Sequence, residues 1–320
     1  MRKSGYLWKR SVFALVTIYV AITLNFVLFR VLPGSAVSRI SKVPNASPAL
    51  KHALEVQFGL DKSMWQQYVL YLQQLLHGNM GISYQNMQPV SDNLKSALLA
   101  TLPMVTIGTV LALVIGIAVG VLSAVRRGTV TDHATTNVAV LFYAFPTQFL
   151  GMMMLIFAAS FLPSAGMTDP FAIYTSWADE AGDVIRHMIL PVLTLVLTLF
   201  AENTLIVRSA MLETLGEDYV LTARAKGVPR RKIVRSYALR NAMLPTITLV
   251  ALSLGSIVTG AILIEVIFSW PGIGRALYQA VLARDYPMLQ GGFLVITVVV
   301  VVFNFIADLL YFRFDPRITT

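Results

Sequence analysis

TARAKGVPRRKIVRSYALRNAMLP, residues 222–245, carries seven Lys or Arg and no acid, yet long apolar segments lie on both sides of it. A cationic cluster between greasy stretches is either an orientation signal, a docking element, or both. The rest of the chain decides between a membrane and a soluble setting. Of 320 residues, 56% are hydrophobic and only 13% charged. Soluble domains run nearer about a quarter charged. A helical span needs about 20 mostly apolar residues, and several segments reach that length. The chain reads as a polytopic membrane protein.

Six spans are predicted at roughly 11–32, 101–125, 136–162, 188–210, 243–266 and 288–312. Continuous apolar runs, not dyad alternation, select helices over a barrel. The N-terminal MRKSGYLWKR resembles a signal peptide, but its apolar run continues to about Leu32, which predicts a retained first span. Sixteen of the 25 basic residues fall on one face: the N-terminus, the loops after spans two and four, and the C-terminal tail. The positive-inside rule makes that face cytoplasmic, with both termini on it. The net charge of +9 follows from this asymmetry and needs no nucleic acid. The absence of cysteine excludes disulfides, thiolate metal sites and Cys nucleophiles.

Orientation needs charge but not the rest of the pattern in 213–245. Glu213, Glu217 and Asp218 precede a helical run from Tyr219 to Lys226, placing acids at its positive end. Gly227 supplies a stop, Val228 before Pro229 is pushed out of helix, and Pro229 starts a second helix. Ile233, Val234, Tyr237 and Ala238 fall on one face of that helix, with Arg230, Arg231 and Arg235 largely off it. Ala223 and Gly227, with Ala225 beside them, give the first helix a small-sided surface that a protein groove could accept. The segment is a helix–corner–helix hairpin. It could transmit force to a partner, or lie on anionic headgroups.

On the outer side, 33–100 opens as a Pro/Ser-rich loop, and 64–77 reads as a short interfacial helix. Gly78, Gly81 and Pro89 break the chain beyond that helix. In 267–287, Pro271 and Gly272 make a turn. Ile273, Ala276, Leu277, Ala280 and Val281 then mark one helix face, a connector or an outer gate. Ala112, Gly116, Gly120 and Ala124 recur every four residues in span two, a stripe for close helix packing within the chain or with a partner. Acids in or near spans are candidates for function. Glu202 lies in span four, Glu265 near the outer end of span five, and Asp308 after Asn304 in span six. Each could equally cap a neighbouring helix or snorkel.

ARAKG at 223–227 with LRNAMLP at 239–245 resembles the EAA loop of binding-protein-dependent ABC importer permeases, dipeptide/oligopeptide branch. RVLPG at 30–34, FGLDK at 58–62, GNMGIS at 78–83, VRRG at 125–128, EVIFSWPGIG at 265–274, ARDYP at 283–287 and ADLLYFRFDPRI at 307–318 extend the resemblance over essentially the whole chain. The resemblance implies an all-α, six-helix type I importer permease (MetI-like) fold. Residues 1–32 would form the N-terminus and first span, 33–100 an extracytoplasmic segment, and 101–320 the core, with a coupling loop at 211–242.

By the same resemblance, Tyr219, Ala223, Ala225 and Gly227 would form a coupling helix seated in a cytoplasmic ATPase. Glu217 and Asp218 would lead into it, and Arg224 and Lys226 would flank the contact. Glu265, Trp270, Glu202 and Asn304 become candidates for the translocation pathway or gate. The implied partners are a second homologous permease, two ABC ATPases, an extracytoplasmic peptide-binding protein and membrane lipid. No GxxxxGK[ST] occurs, so ATP and Mg²⁺ would sit on the partner subunits, and this chain would bind no cofactor or metal and perform no catalysis. A nickel-chelate importer of the same branch is the alternative within transport. A self-contained channel or proton-coupled carrier is the alternative outside it.

Overall fold

The computed structural model describes residues 3–31, 62–243 and 261–314. Among these the secondary structure is helical, apart from one β-bridge between Ile82 and Pro89. Most of the RVLPG and FGLDK blocks, most of the fifth expected span and the end of the C-terminal block lie outside the described residues.

The helices are α1 (Lys3–Val31), α2 (Met64–Leu76), α3 (Val90–Val125), α4 (Val130–Ala144), α5 (Thr147–Ala158), α6 (Trp177–Leu215), α7 (Asp218–Ala225), α8 (Arg230–Lys232), α9 (Ile273–Ala283) and α10 (Tyr286–Phe314), with a further helical segment at 261–267 before α9. Among the described residues, four helices are long and apolar enough to cross a membrane singly: α1, α3, α6 and α10. With 36 and 39 residues, α3 and α6 exceed the roughly 20 needed for the hydrocarbon core. They therefore project beyond it. This extends the expected spans two and four, most visibly at Val90, where α3 begins inside the segment expected to be an outer loop.

The third expected span is not one straight helix. α4 and α5 meet at 102°. Phe145 takes an extended conformation before Pro146, which caps α5. A residue preceding proline is driven out of the α region, and that breaks the run.

α3 and α6 form the central pair, through the small-residue stripe. Ala112, Gly116, Gly120 and Ala124 are all buried. A Cβ at Gly116 would stand 2.5 Å from Asn203 Cβ, and one at Gly120 2.8 Å from the Thr204 carbonyl. The stripe thus serves packing within the chain, where close backbone approach supplies the van der Waals contact that lipid cannot replace. α4 and α5 lie against α6.

α1 packs on α10, tied by Asn25 donating to the Gln290 carbonyl at 2.8 Å and by an Arg10–Asp308 ion pair at 3.2 Å. Asp308 is therefore a structural contact. At the opposite end Tyr68 of α2 holds α1 through its hydroxyl, 2.7 Å from Thr23, and its ring edge on Phe26.

Candidate functional site

Two assemblies stand out, one at each end of the bundle. The first is the basic hairpin. Glu217 is extended at the N-cap of α7, with Asp218 in the first turn against the helix dipole. The helix ends in a Schellman motif: Val228 N–H reaches the Ala223 carbonyl (3.1 Å) and Gly227 N–H the Arg224 carbonyl (2.9 Å). Gly227 sits at φ +74°, a left-handed conformation in which a Cβ would be strained. Pro229 then caps α8, which runs on through a π-helical turn, Ile233–Ala238, and stays helical to 243. The chain forms the expected helix, corner and second helix, with the first helix running one residue earlier than expected at each end, Asp218–Ala225.

The wide turn sets which side chains face in. Ile233 and Ala238, five apart, are both buried, and Ala242 follows on the same side. Ile233 packs with Val220 and Ala223 to close the hairpin. Ala238 and Ala242 pack with Ala124, Val207, Ala210 and Met211 to dock it on the ends of α3 and α6. Arg230 donates to the Val125 carbonyl (2.5 Å), and Asn241 to the Tyr219 hydroxyl (2.7 Å). Glu217, Asp218, Tyr219, Arg224, Ala225, Lys226 and Gly227 are exposed. Ala223 is only 5% exposed and faces the hairpin's own interior. Its small side chain lets the two helices approach each other. The outward small residues are Ala225 and Gly227.

Beside the hairpin lies a bracket absent from the sequence reading. Arg208 of α6 makes a bidentate pair with Asp132 of α4, at 2.8 and 3.1 Å. Ser123 of α3 donates to the same carboxylate (2.6 Å), as does Gly128 N–H (3.0 Å). Asp132 is buried and joins three helices at the level where the hairpin attaches. Its only sequence signal is an acid in the first turn of a helix, which alone reads as dipole compensation.

The second assembly is the corner after span five. Glu265 is fully buried. It accepts from Thr101 Oγ1 of α3 (2.6 Å) and from the N–H groups of Gly274 (2.7 Å) and Arg275 (3.1 Å) in the first turn of α9. Thr101 Oγ1 in turn accepts from Ile273 N–H (2.9 Å). Glu265 is thus a cap supplied from a distance, satisfying helix-end donors that have no intrahelical partner. Gly272 makes room for it: a Cβ there would overlap the Glu265 carboxylate.

Trp270 is also fully buried, and its indole N–H donates to the Ala100 carbonyl (2.9 Å). Neither Glu265 nor Trp270 is exposed to a path. On α9 the buried face is Ile273, Leu277 and Ala280, while Val281 turns outward. Asp285 caps α10 through Met288 N–H (3.2 Å) and accepts from Ser83 Oγ (2.5 Å), bringing the GNMGIS and ARDYP blocks together. Glu202 and Asn304, in contrast, are exposed on α6 and α10.

The family described as binding-protein-dependent transport system inner membrane component matches residues 116–320, and the N-terminal family of such membrane components matches 4–105. The dipeptide transport system permease protein DppB of Escherichia coli K12 is 38% identical over 320 residues, covering 94% of each chain. The di/tripeptide transport system permease protein DppB of Pseudomonas aeruginosa UCBPP-PA14 is 35% identical over 98% of each. Among solved structures, an inward-facing MetNI methionine ABC transporter chain superposes with a TM-score of 0.57 at 19% identity, over 70% of this chain and 96% of that one. That likeness establishes the MetI-type fold. The chain belongs to the family of inner-membrane components of binding-protein-dependent transport systems.

Proposed function

We propose that this chain is the membrane-spanning permease subunit of an ATP-driven importer for di- and oligopeptides, forming half of the translocation pathway. Its relatives named above are peptide permeases. The observation that carries the mechanism is the hairpin. A short helix with an exposed face is set rigidly on the ends of α3 and α6, the two longest of the described helices, through apolar packing and the Schellman corner. A push on α7 is therefore delivered to α3 and α6 together, the pair that the glycine stripe locks. The Asp132–Arg208 bracket carries the same displacement to α4.

In this reading the basic end is cytoplasmic, with both termini on it, a placement supported by the positive-inside rule. Residues 33–100 face the other side, and 211–242 form the coupling loop within the 101–320 core. Each of two ABC ATPases would receive one coupling helix, from this chain or from a second, homologous permease. ATP and Mg²⁺ belong to those ATPases. An extracytoplasmic peptide-binding protein would deliver substrate. The exposed face of α7, with Tyr219, Arg224, Ala225 and Lys226, is the docking surface. Glu202 has no partner among the described residues. A carboxylate exposed on a membrane helix calls for water or a partner chain, so Glu202 and Asn304 are assigned to the pathway or the permease–permease seam.

The test is reconstitution. Vesicles holding the four-subunit complex should hydrolyse ATP faster when peptide-loaded binding protein is added, and should accumulate peptide. Omission of this chain should abolish both. Peptide uptake by vesicles containing this chain alone would overturn the reading in favour of a self-contained carrier.

A further inference from the structure

At the end of the bundle opposite the hairpin, a cavity of about 500 Å³ opens between the start of α3, the 78–89 segment and the first turns of α9. Its polar lining includes Gln85, Asn86, Asn93, Ser96, Arg275 and Gln279. Five of these are neutral amides or a hydroxyl, and the sixth is a guanidinium. Arg275 donates through one terminal nitrogen to the Ser269 carbonyl and has no carboxylate partner among the described residues.

The two carboxylates adjoining the cavity are already committed. Glu265 is taken by Thr101 and the backbone of α9, and Asp285 by Ser83, Gln85 N–H and Met288 N–H. The N-terminal donors of α9 are likewise used by Glu265 and Thr101. Asn86 and Asn93 are paired with each other through their side-chain amides, and Ser96 Oγ donates to the Asp92 and Asn93 carbonyls, so what remains most available is the Arg275 guanidinium with the Gln85 and Gln279 amides.

That set matches a short peptide's own backbone. Side-chain amides donate and accept as a peptide bond does. A guanidinium binds a carboxylate in a planar, charge-assisted fork. The volume falls in the range of small-ligand sites, roughly 300–1,000 Å³. We propose that this cavity is the peptide's first station on the permease, where Arg275 holds the free C-terminal carboxylate and the surrounding amides hold the backbone. The side chains of the peptide are then read weakly, which suits a carrier that accepts many sequences. The inference rests on the importer reading and names the substrate contact within it.

The chain contains no cysteine, so Ser96→Cys introduces a single thiol in this subunit, at the cavity. In the assembled complex, held with ATP and vanadate and without binding protein, the rate of alkylation of that thiol is followed by mass spectrometry. Millimolar dialanine should slow it at least fivefold. Dialanine amide should slow it less than twofold. Arg275→Gln should remove protection by dialanine, and Arg275→Lys, which keeps the charge but not the fork, should keep only part of it.

Equal protection by dialanine and its amide, or none by either, overturns the site if the complex still shows ATPase stimulated by loaded binding protein. Protection by peptide-free binding protein, with none by dialanine, assigns the cavity to that protein and also overturns the proposal. A complex without stimulated ATPase sinks the importer reading, and the station falls with it.

Discussion

Replacement of Glu265 by alanine removes a fully buried carboxylate that accepts three hydrogen bonds. Thr101 Oγ1 is fully enclosed, as is the peptide of Gly274, while Arg275 is half-exposed and its N–H can recruit water. Two enclosed donors thus lose their acceptor. An unsatisfied buried donor costs about 1–3 kcal/mol, so the loss is roughly 4 kcal/mol before any relaxation. Glu265→Gln keeps one acceptor oxygen and the side-chain volume, and should cost about 1–2 kcal/mol on the same scale. For a large domain, 1 kcal/mol shifts the melting midpoint by roughly 2 °C. Thermal unfolding in nanodiscs, read by intrinsic tryptophan fluorescence, should therefore show the alanine variant melting roughly 5–10 °C early and the glutamine variant in between. An alanine variant within about 2 °C of the parent, on that same scale, would show that Glu265 does not hold the corner, and would return it to the candidates for a pathway group.

Other consequences concern the basic end and the helix seam. At Gly227, φ +74° favours Gly, then Asn. Gly227→Asn should retain transport, whereas Gly227→Val should strain the corner by about 1–2 kcal/mol and reduce peptide-stimulated ATPase with the membrane domain still folded. Gly227→Glu should abolish transport in well-folded protein, since it adds charge and bulk to the exposed end of α7; normal uptake by that variant contradicts the docking role. Gly120→Val inserts atoms where even a Cβ meets Val207 Cβ at 2.9 Å; it should destabilise the α3–α6 pair by about 1–3 kcal/mol and lower the yield of monodisperse protein. Asp132→Asn leaves Arg208, 24% exposed, without its partner. A loss of roughly 3 kcal/mol is expected, the low end for a broken buried pair, and in a double-mutant cycle Asp132→Asn with Arg208→Met should cost less than the sum of the two single variants.

The sequence announces features that local chemistry controls. Apolar length gives the helices. Gly227, Val228 and Pro229 give the corner, because a positive φ, a residue restricted by proline and a missing N–H leave the chain few alternatives. Features fixed by distant contacts are not legible. Asp132 and Arg208 lie 76 residues apart, and nothing in either neighbourhood marks the other. Glu265 is visible as a costly buried acid, and capping is one of the roles its position leaves open; Thr101, 164 residues away, is what makes it a cap.

The inward turn of Ala223 depends on Ile233 folding back across the corner onto Val220 and Ala223, and the π-helical step at Ile233–Ala238 shifts the buried side of the second helix away from ordinary α spacing. Pro146 is a signal for the bend between α4 and α5, but apolar length alone masks it, since hydropathy is blind to direction. The alanine–glycine stripe is legible as a packing surface. Its partner is not, and Asn203 and Thr204 supply it.

Coupling in this protein depends on the outward face of α7 engaging an ATPase. Single cysteines at Ala225, which is exposed, and at Ala223, 5% exposed, separate that face from the hairpin's interior by half a helical turn. With a short bifunctional thiol reagent in the assembled complex, Ala225→Cys should capture an ATPase subunit in high yield, and Ala223→Cys should capture almost none. Equal capture from both positions, or capture from neither, would contradict the assignment.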